Sequence, residues 1–139
     1  MNIYTLSDIK EGMEESFEVT ITEDMMSKFL QISSDTNPLH IDAEYAKEKG
    51  FKDRVVYGLL TSSFYSTLAG VYLPGKYCIL QGLDIQFSKP VFIGDTLTIS
   101  GKVSYINEAY KQIEIKATVK NQESKKVSKA TITTGLMDE

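Results

Sequence analysis

Hydrophobic spacing divides this chain into a helical first half and an extended second half. A short alternating stretch, Glu18-Val19-Thr20-Ile21, reads as a strand. Thr22-Glu23-Asp24 then supplies a capping hydroxyl and acidic residues for a helix start. Met25, Met26, Phe29, Leu30 and Ile32 give that helix an apolar face, and it is expected to end near Ser33-Ser34. Asp42 can cap a second, short helix from Ala43 to Lys49, closed by Gly50. Val55 to Leu73 is apolar with small residues mixed in. It predicts a buried helix from about Tyr57 to Tyr72, stopped by the turn Leu73-Pro74-Gly75.

From there the period becomes two. Ile79 to Phe92 is expected to be one strand region, with Pro90 near its end at an edge or bulge. Gly94-Asp95 marks a turn. Thr96 to Val103 and Gln112 to Val119 alternate cleanly, and the polar loop Asn121–Lys125 leads to a last strand from Val127 to about Leu136. These spacings predict antiparallel meander pairs joined by short turns. Strands with one apolar face need a cover, and the Val55–Leu73 helix is apolar enough to provide it. The expected fold class is α+β, an antiparallel β-sheet wrapped around a long buried helix. We read residues 1–139 as a single domain without linker, repeat or low-complexity tract.

Composition narrows the function. A net charge of −4 offers no basic field for nucleic acid. The Val55–Leu73 stretch approaches the length of a membrane span, but its five Ser/Thr and two Gly argue against one. One cysteine excludes an intrachain disulfide. The start Met1–Leu6 has neither a basic region nor a long apolar run, which together with the cysteine count points to the cytoplasm. With a single Cys and a single His, a zinc site is not expected.

The candidate chemistry lies in Asp35-Thr36-Asn37-Pro38-Leu39-His40, which contains the only histidine. Asn37-Pro38 opens a turn and disfavours helix through Asn37. The chain can therefore bring the Asp35 and His40 side chains toward one point. A carboxylate facing an imidazole can orient a water and move its protons. Asp and Asn also start turns simply by bonding nearby amides, and a lone histidine is often a packed residue.

Several separated motifs occur in order: Asp35-x-Asn37-Pro38-Leu39-His40, an apolar-x-Gly58-Leu59-Leu60 helix opening, Leu73-Pro74-Gly75, and Phe87-x-x-Pro90-Val91-x-x-Gly94-Asp95. This order resembles the MaoC-like (R)-specific enoyl-CoA hydratases, over roughly Thr22 to Val103. The resemblance implies a hot-dog fold, a homodimer joined sheet edge to sheet edge, and an acyl chain entering near the subunit interface. It makes Asp35 and His40 the catalytic dyad, with Asn37 and Pro38 as the turn that sets their geometry. Gly58 matches the glycine whose backbone N–H bonds the thioester carbonyl, and Ser66 a serine near the dyad. The family usually has His-Gly-Met where this chain has Tyr57-Gly58-Leu59, so Tyr57 and Leu59 are substrate-binding or supporting positions with altered chemistry. Leu83 stands where the family often carries Gln, which bears on the pocket lining.

The implied reaction is reversible hydration of a trans-2-enoyl thioester to an (R)-3-hydroxyacyl thioester, without metal or redox cofactor. Coenzyme A is the expected carrier, with an acyl-carrier protein as the other possibility. Gly58 suits the oxyanion role because it opens a helix, where N–H groups lack partners and the dipole is positive. Lys47, Lys49, Lys52 and Arg54 precede that helix. They either meet the carrier's phosphates or form a solvated face. Tyr57, Phe64, Tyr65 and Tyr72 read as core or interface residues. Two other functions share the fold: a hot-dog acyl-CoA thioesterase, against which the Asp35-x-Asn37-Pro38-x-His40 constellation speaks, and a non-catalytic acyl-thioester-binding subunit, which Tyr57 keeps open.

Overall fold

Five strands form one antiparallel sheet in the order β1-β3-β4-β5-β2 in a computed structural model that describes residues 1–138. The strands are β1 (Glu14–Thr20), β2 (Cys78–Phe87), β3 (Thr96–Asn107), β4 (Gln112–Lys120) and β5 (Lys126–Leu136). Their inward positions follow the alternation. Ile99 pairs with Val119, Val103 with Ile115 and Ile115 with Ile132, and all five are essentially inaccessible. The outward positions between them are Thr, Ser and Lys.

Helix α1 (Glu23–Ser33) is capped by Thr22, whose hydroxyl accepts the Met25 N–H at 3.2 Å. Two short helices follow, α2 (Pro38–Ile41) and α3 (Ala43–Glu48). Helix α4 (Gly58–Thr67) continues into a π-helical turn, Leu68–Tyr72, and together they form the long central helix. Tyr65, Leu68 and Ala69 lie fully buried on it, as the apolar run predicts. The π-helical turn has no signal in the hydrophobic pattern. Contact with the sheet is close. A Cβ on Gly101 of β3 would come within 2.7 Å of Leu68 Cδ2 and 2.8 Å of Ile115 Cγ2. Glycine there lets the sheet curl tightly against the helix. This sheet around a helix is the hot-dog fold.

Two sequence expectations need correction. The strand predicted over Ile79–Phe92 ends at Phe87. Pro90 has no N–H to continue a ladder, and the Ser88 and Lys89 amides both turn to the Val127 carbonyl. The strands are also not a simple meander, because β2 pairs with β5 rather than with β3. Residues 88–95 therefore cross from one side of the sheet toward the other. On the way, the Val91 carbonyl takes the Val56 N–H at 2.8 Å, and Phe92 bridges to Val55. That crossing brings the start of α4 to the end of the sheet.

β1 and β2 are the two edges. β2 leaves its free edge uncovered and exposes Ile79, Leu80, Leu83 and Phe87, with Phe87 at 55%. No helix in the described residues is long and apolar enough to cross a membrane.

Candidate active site

Local hydrogen bonds shape the segment between α1 and α2. Ser34 adopts the left-handed conformation (φ 57°) at the end of α1, its N–H bonded to the Leu30 carbonyl. The Ser33 hydroxyl donates to the Phe29 carbonyl and accepts the Asp35 N–H. Asp35 Oδ1 then accepts the Asn37 N–H at 3.1 Å, and Asn37 Oδ1 accepts the Leu39 N–H at 2.9 Å. These are two successive Asx bonds, the second capping α2 with Pro38 in its first turn. So the Asn-Pro turn opens a single helical turn, and that turn carries His40.

His40 is anchored on the strand-like stretch before α4. Its Nδ1 lies 2.7 Å from the Val55 carbonyl, and the Val55 N–H returns a bond to the Leu39 carbonyl at 3.0 Å. A carbonyl only accepts, so Nδ1 carries the proton and the neutral ring keeps its lone pair on Nε2. Among the described residues, no hydrogen bond or ion pair joins the Asp35 carboxylate to His40 directly. Tyr57 meets both residues instead, Asp35 through its main chain. The Tyr57 hydroxyl donates to the Asp35 carbonyl at 2.8 Å, and its ring lies 4.2 Å from the imidazole. Tyr57 is 2% exposed, as a core reading expects. Burial, and next the Asp35 charge, push its phenol above the ordinary range.

His40 and Gly58 line one pocket of about 330 Å³. Its walls are mainly apolar, with Phe51, Val55, Val56, Phe87, Pro90 and Val91, and Thr61 and Ser128 add polar groups. The Ser128 hydroxyl is bonded to the buried Tyr65 hydroxyl at 2.7 Å. Wider concavities lie on the outer sheet face, such as one of about 590 Å³ along Glu14, Ser100, Lys102 and Lys116. That one is lined by polar and charged residues and includes neither His40 nor the start of a helix, so the smaller pocket is the better candidate. Gly58 is the first residue of α4, and the Tyr57 carbonyl receives the Leu60 and Thr61 amides. Among the described residues nothing accepts the Gly58 N–H. The Phe87 ring lies over Gly58, 3.0 Å from where a Cβ would stand.

The other sequence candidates are placed differently. Leu59 is 67% exposed and, like Asp35, Asn37 and Tyr57, is not among the residues that line the pocket. Ser66 is exposed two turns further along α4, about 12 Å from Gly58 by helical rise. Arg54 is ion-paired with Glu23 of α1. The Lys52 ammonium lies 4.5 Å from the Phe92 ring centre and that of Lys49 5.3 Å from the Tyr45 ring centre. Sequence reasoning missed Phe51, Lys89, Val91 and Ser128 as pocket residues. The Phe87-x-x-Pro90-Val91 motif was a signal for part of this wall. Nothing in the hydrophobic pattern marks Lys89 or Ser128.

The MaoC-like domain model matches residues 5–127 of this chain. The chain belongs to this family. It is 35% identical to an (R)-specific enoyl-CoA hydratase of Rhodospirillum rubrum over 116 residues, 84% of this chain and 81% of that protein. It is 39% identical over 83 residues to the (R)-specific enoyl-CoA hydratase of Aeromonas caviae, 60% of this chain and 62% of that protein. The unliganded R-hydratase of Pseudomonas aeruginosa superposes with a TM-score of 0.91 at 28% identity, over 99% of this chain and 88% of that one. The resemblance read from the motifs is thus a true family membership.

Proposed function

We propose that this MaoC-like protein is a hydro-lyase that reversibly hydrates trans-2-enoyl thioesters to (R)-3-hydroxyacyl thioesters. The observation that carries the reading is the shared apolar pocket, which His40 and Gly58 both line. Its relatives named as (R)-specific enoyl-CoA hydratases support the substrate class and the stereochemistry.

In this reading one water lies between Asp35 and His40. His40 Nε2 takes a proton from it, and the carboxylate oxygen of Asp35 not engaged by Asn37 holds the other. The water oxygen forms its bond to C3, the C2=C3 electron pair moves toward the thioester, and the Gly58 N–H receives the charge that builds on its oxygen. A preorganised donor of this kind is worth about 3 kcal/mol in the transition state. A proton from the dyad then closes C2, so the two residues end as they began. Dehydration runs the same steps backward. The residues need no metal or redox cofactor for any of them.

The working unit is a homodimer in this proposal. The free β2 edge with exposed Ile79, Leu80, Leu83 and Phe87 supports it, because an uncovered apolar edge favours strand pairing. Leu59 and Ser66, on the exposed side of α4, would then meet the acyl chain near the interface. Coenzyme A is the proposed carrier, with an acyl-carrier protein as the alternative.

The test is a spectrophotometric hydration assay over enoyl-CoAs of graded length, with products resolved by chirality. (R)-3-hydroxyacyl product is expected. Release of free thiol in place of hydration would make the protein a thioesterase, and tight binding without turnover would make it a binding subunit.

A further inference from the structure

We propose that Tyr57 is the positioning residue of the dyad, holding the Asp35 main chain with its hydroxyl and the His40 imidazole with its ring. The inference rests on the reading of Asp35 and His40 as one catalytic unit, and it assigns the part that sets the geometry between them.

Asp35 and His40 are attached to the rest of the protein in different ways. Residues Ser34 to Asn37 are exposed. Their hydrogen bonds are local, to Leu30, Ser33 and neighbours within the turn, and such bonds shape the segment without placing it against the body of the protein. One bond is different. The Tyr57 hydroxyl reaches across 22 residues of sequence to the Asp35 carbonyl. His40 is attached separately, through Val55. Without Tyr57, the carboxylate and the imidazole would hang from two anchors with only the short turn between them.

Tyr57 is well built for the task. It caps α4 immediately before Gly58, so it belongs to the same rigid element as the proposed oxyanion donor. Its ring packs against two others, with centroids 4.2 Å away for His40 and 4.8 Å away for Phe29 of α1. A buried ring with two side-chain torsions and close-packed neighbours has little freedom left. Its hydroxyl is therefore a fixed point for Asp35. Burial and the Asp35 charge keep the phenol protonated, so it remains a donor at neutral pH. Misplacing a reacting group by about 1 Å can cost roughly a hundredfold in rate. One side chain thus ties the acid–base pair to the helix end that receives the developing charge.

Tyr57→Phe removes the hydroxyl and keeps the ring, and the carbonyl it releases can turn to water, so the variant should fold. In hydration of crotonyl-CoA by the full-length protein, kcat should fall about ten- to hundredfold, with KM changed less than about twofold. Thermal unfolding and the His40 ring resonances should stay near those of the parent, while the Asp35 amide resonance moves. Tyr57→Leu should lose more, and should also shift the His40 resonances because the ring is gone. The deciding measurement is the double variant. If Tyr57 acts through Asp35, adding Tyr57→Phe to Asp35→Asn should change kcat less than about twofold. An equal loss in both backgrounds, a wild-type rate for Tyr57→Phe, or a loss of kcat that only tracks the folded fraction overturns the inference while leaving the dyad intact. A near wild-type rate for Asp35→Asn removes the dyad itself, and this inference with it.

Discussion

The two halves of the site are built in opposite ways. The segment from Ser34 to Asn37 is exposed, and apart from the bond its Asp35 carbonyl accepts from Tyr57 its hydrogen bonds join residues at most four apart. The chain entering α4 is buried at Val56 and Tyr57 and depends on residues far away in sequence. Val91 holds the Val56 amide, Phe87 lies over Gly58, and the ring of Tyr57 is held by Phe29 and His40. The first region can lose a side chain without losing core. The second cannot, because its residues also close one end of the sheet. The groups proposed to move protons stand on the lightly attached region, and the proposed charge-stabilising donor stands on the scaffold.

Substitution can break this comparison, and the largest effect should fall on the scaffold. Ile132→Ala empties a fully buried position. It should cost about 2–5 kcal/mol in chemical denaturation, with kcat per folded molecule within about twofold of the parent. A selective loss of kcat there would mean that the sheet core and the site are not separable.

Next come the dyad substitutions, which should show the reverse pattern. Asp35→Asn and His40→Ala should each lower kcat by about two orders of magnitude or more, with thermal unfolding little changed, since Asp35 is exposed and His40 only half-buried. Asn at 35 keeps an oxygen for the Asn37 amide, so the turn survives. The double variant should be scarcely worse than the poorer single one. Activity that falls only in proportion to folded protein would make both residues structural.

Gly58→Ala sharpens the comparison where the two regions meet. The added methyl would stand 3.0 Å from the Phe87 ring, which is half exposed and can give way. Stability should fall by no more than about 1–2 kcal/mol, while kcat should fall about tenfold or more as the methyl keeps the thioester oxygen from the N–H. Adding Phe87→Ala should restore stability and not the rate. If it restores the rate, Gly58 serves the packing of Phe87 and not the oxyanion.

The smallest effect is expected from neutralising Lys47, Lys49, Lys52 and Arg54 together. KM for a CoA substrate should rise a few-fold at low salt and lose most of its salt dependence, because exposed charges are screened. Arg54 is engaged with Glu23 and the Lys49 and Lys52 ammonium groups lie over aromatic rings, so their reach is limited. An unchanged KM and salt slope would make the cluster a solvated face.

What could be read in advance follows the same division. Thr22 as a cap, the Asn37-Pro38 turn, the apolar α4 and the alternation of β3, β4 and β5 are local matters of propensity and period. They were visible from short stretches of sequence. The position of β2 was not. Its alternation gives an inward face but does not choose a neighbour, and pairing with β5 is a choice among edges that only the assembled sheet makes. The same holds for the pocket wall, whose residues Phe51, Phe87, Val91 and Ser128 come from four separate segments.

Short stretches of sequence carry the elements and the apolar faces, and they single out candidate acid–base residues, because each depends on neighbours within a few positions. The tertiary structure decided that β2 becomes the free edge and that residues 88–95 cross the sheet to hold the start of α4. It also decided that Tyr57 stands between Asp35 and His40. These outcomes depend on which distant surfaces exclude water from one another, and that is settled only when the whole sheet closes on the helix.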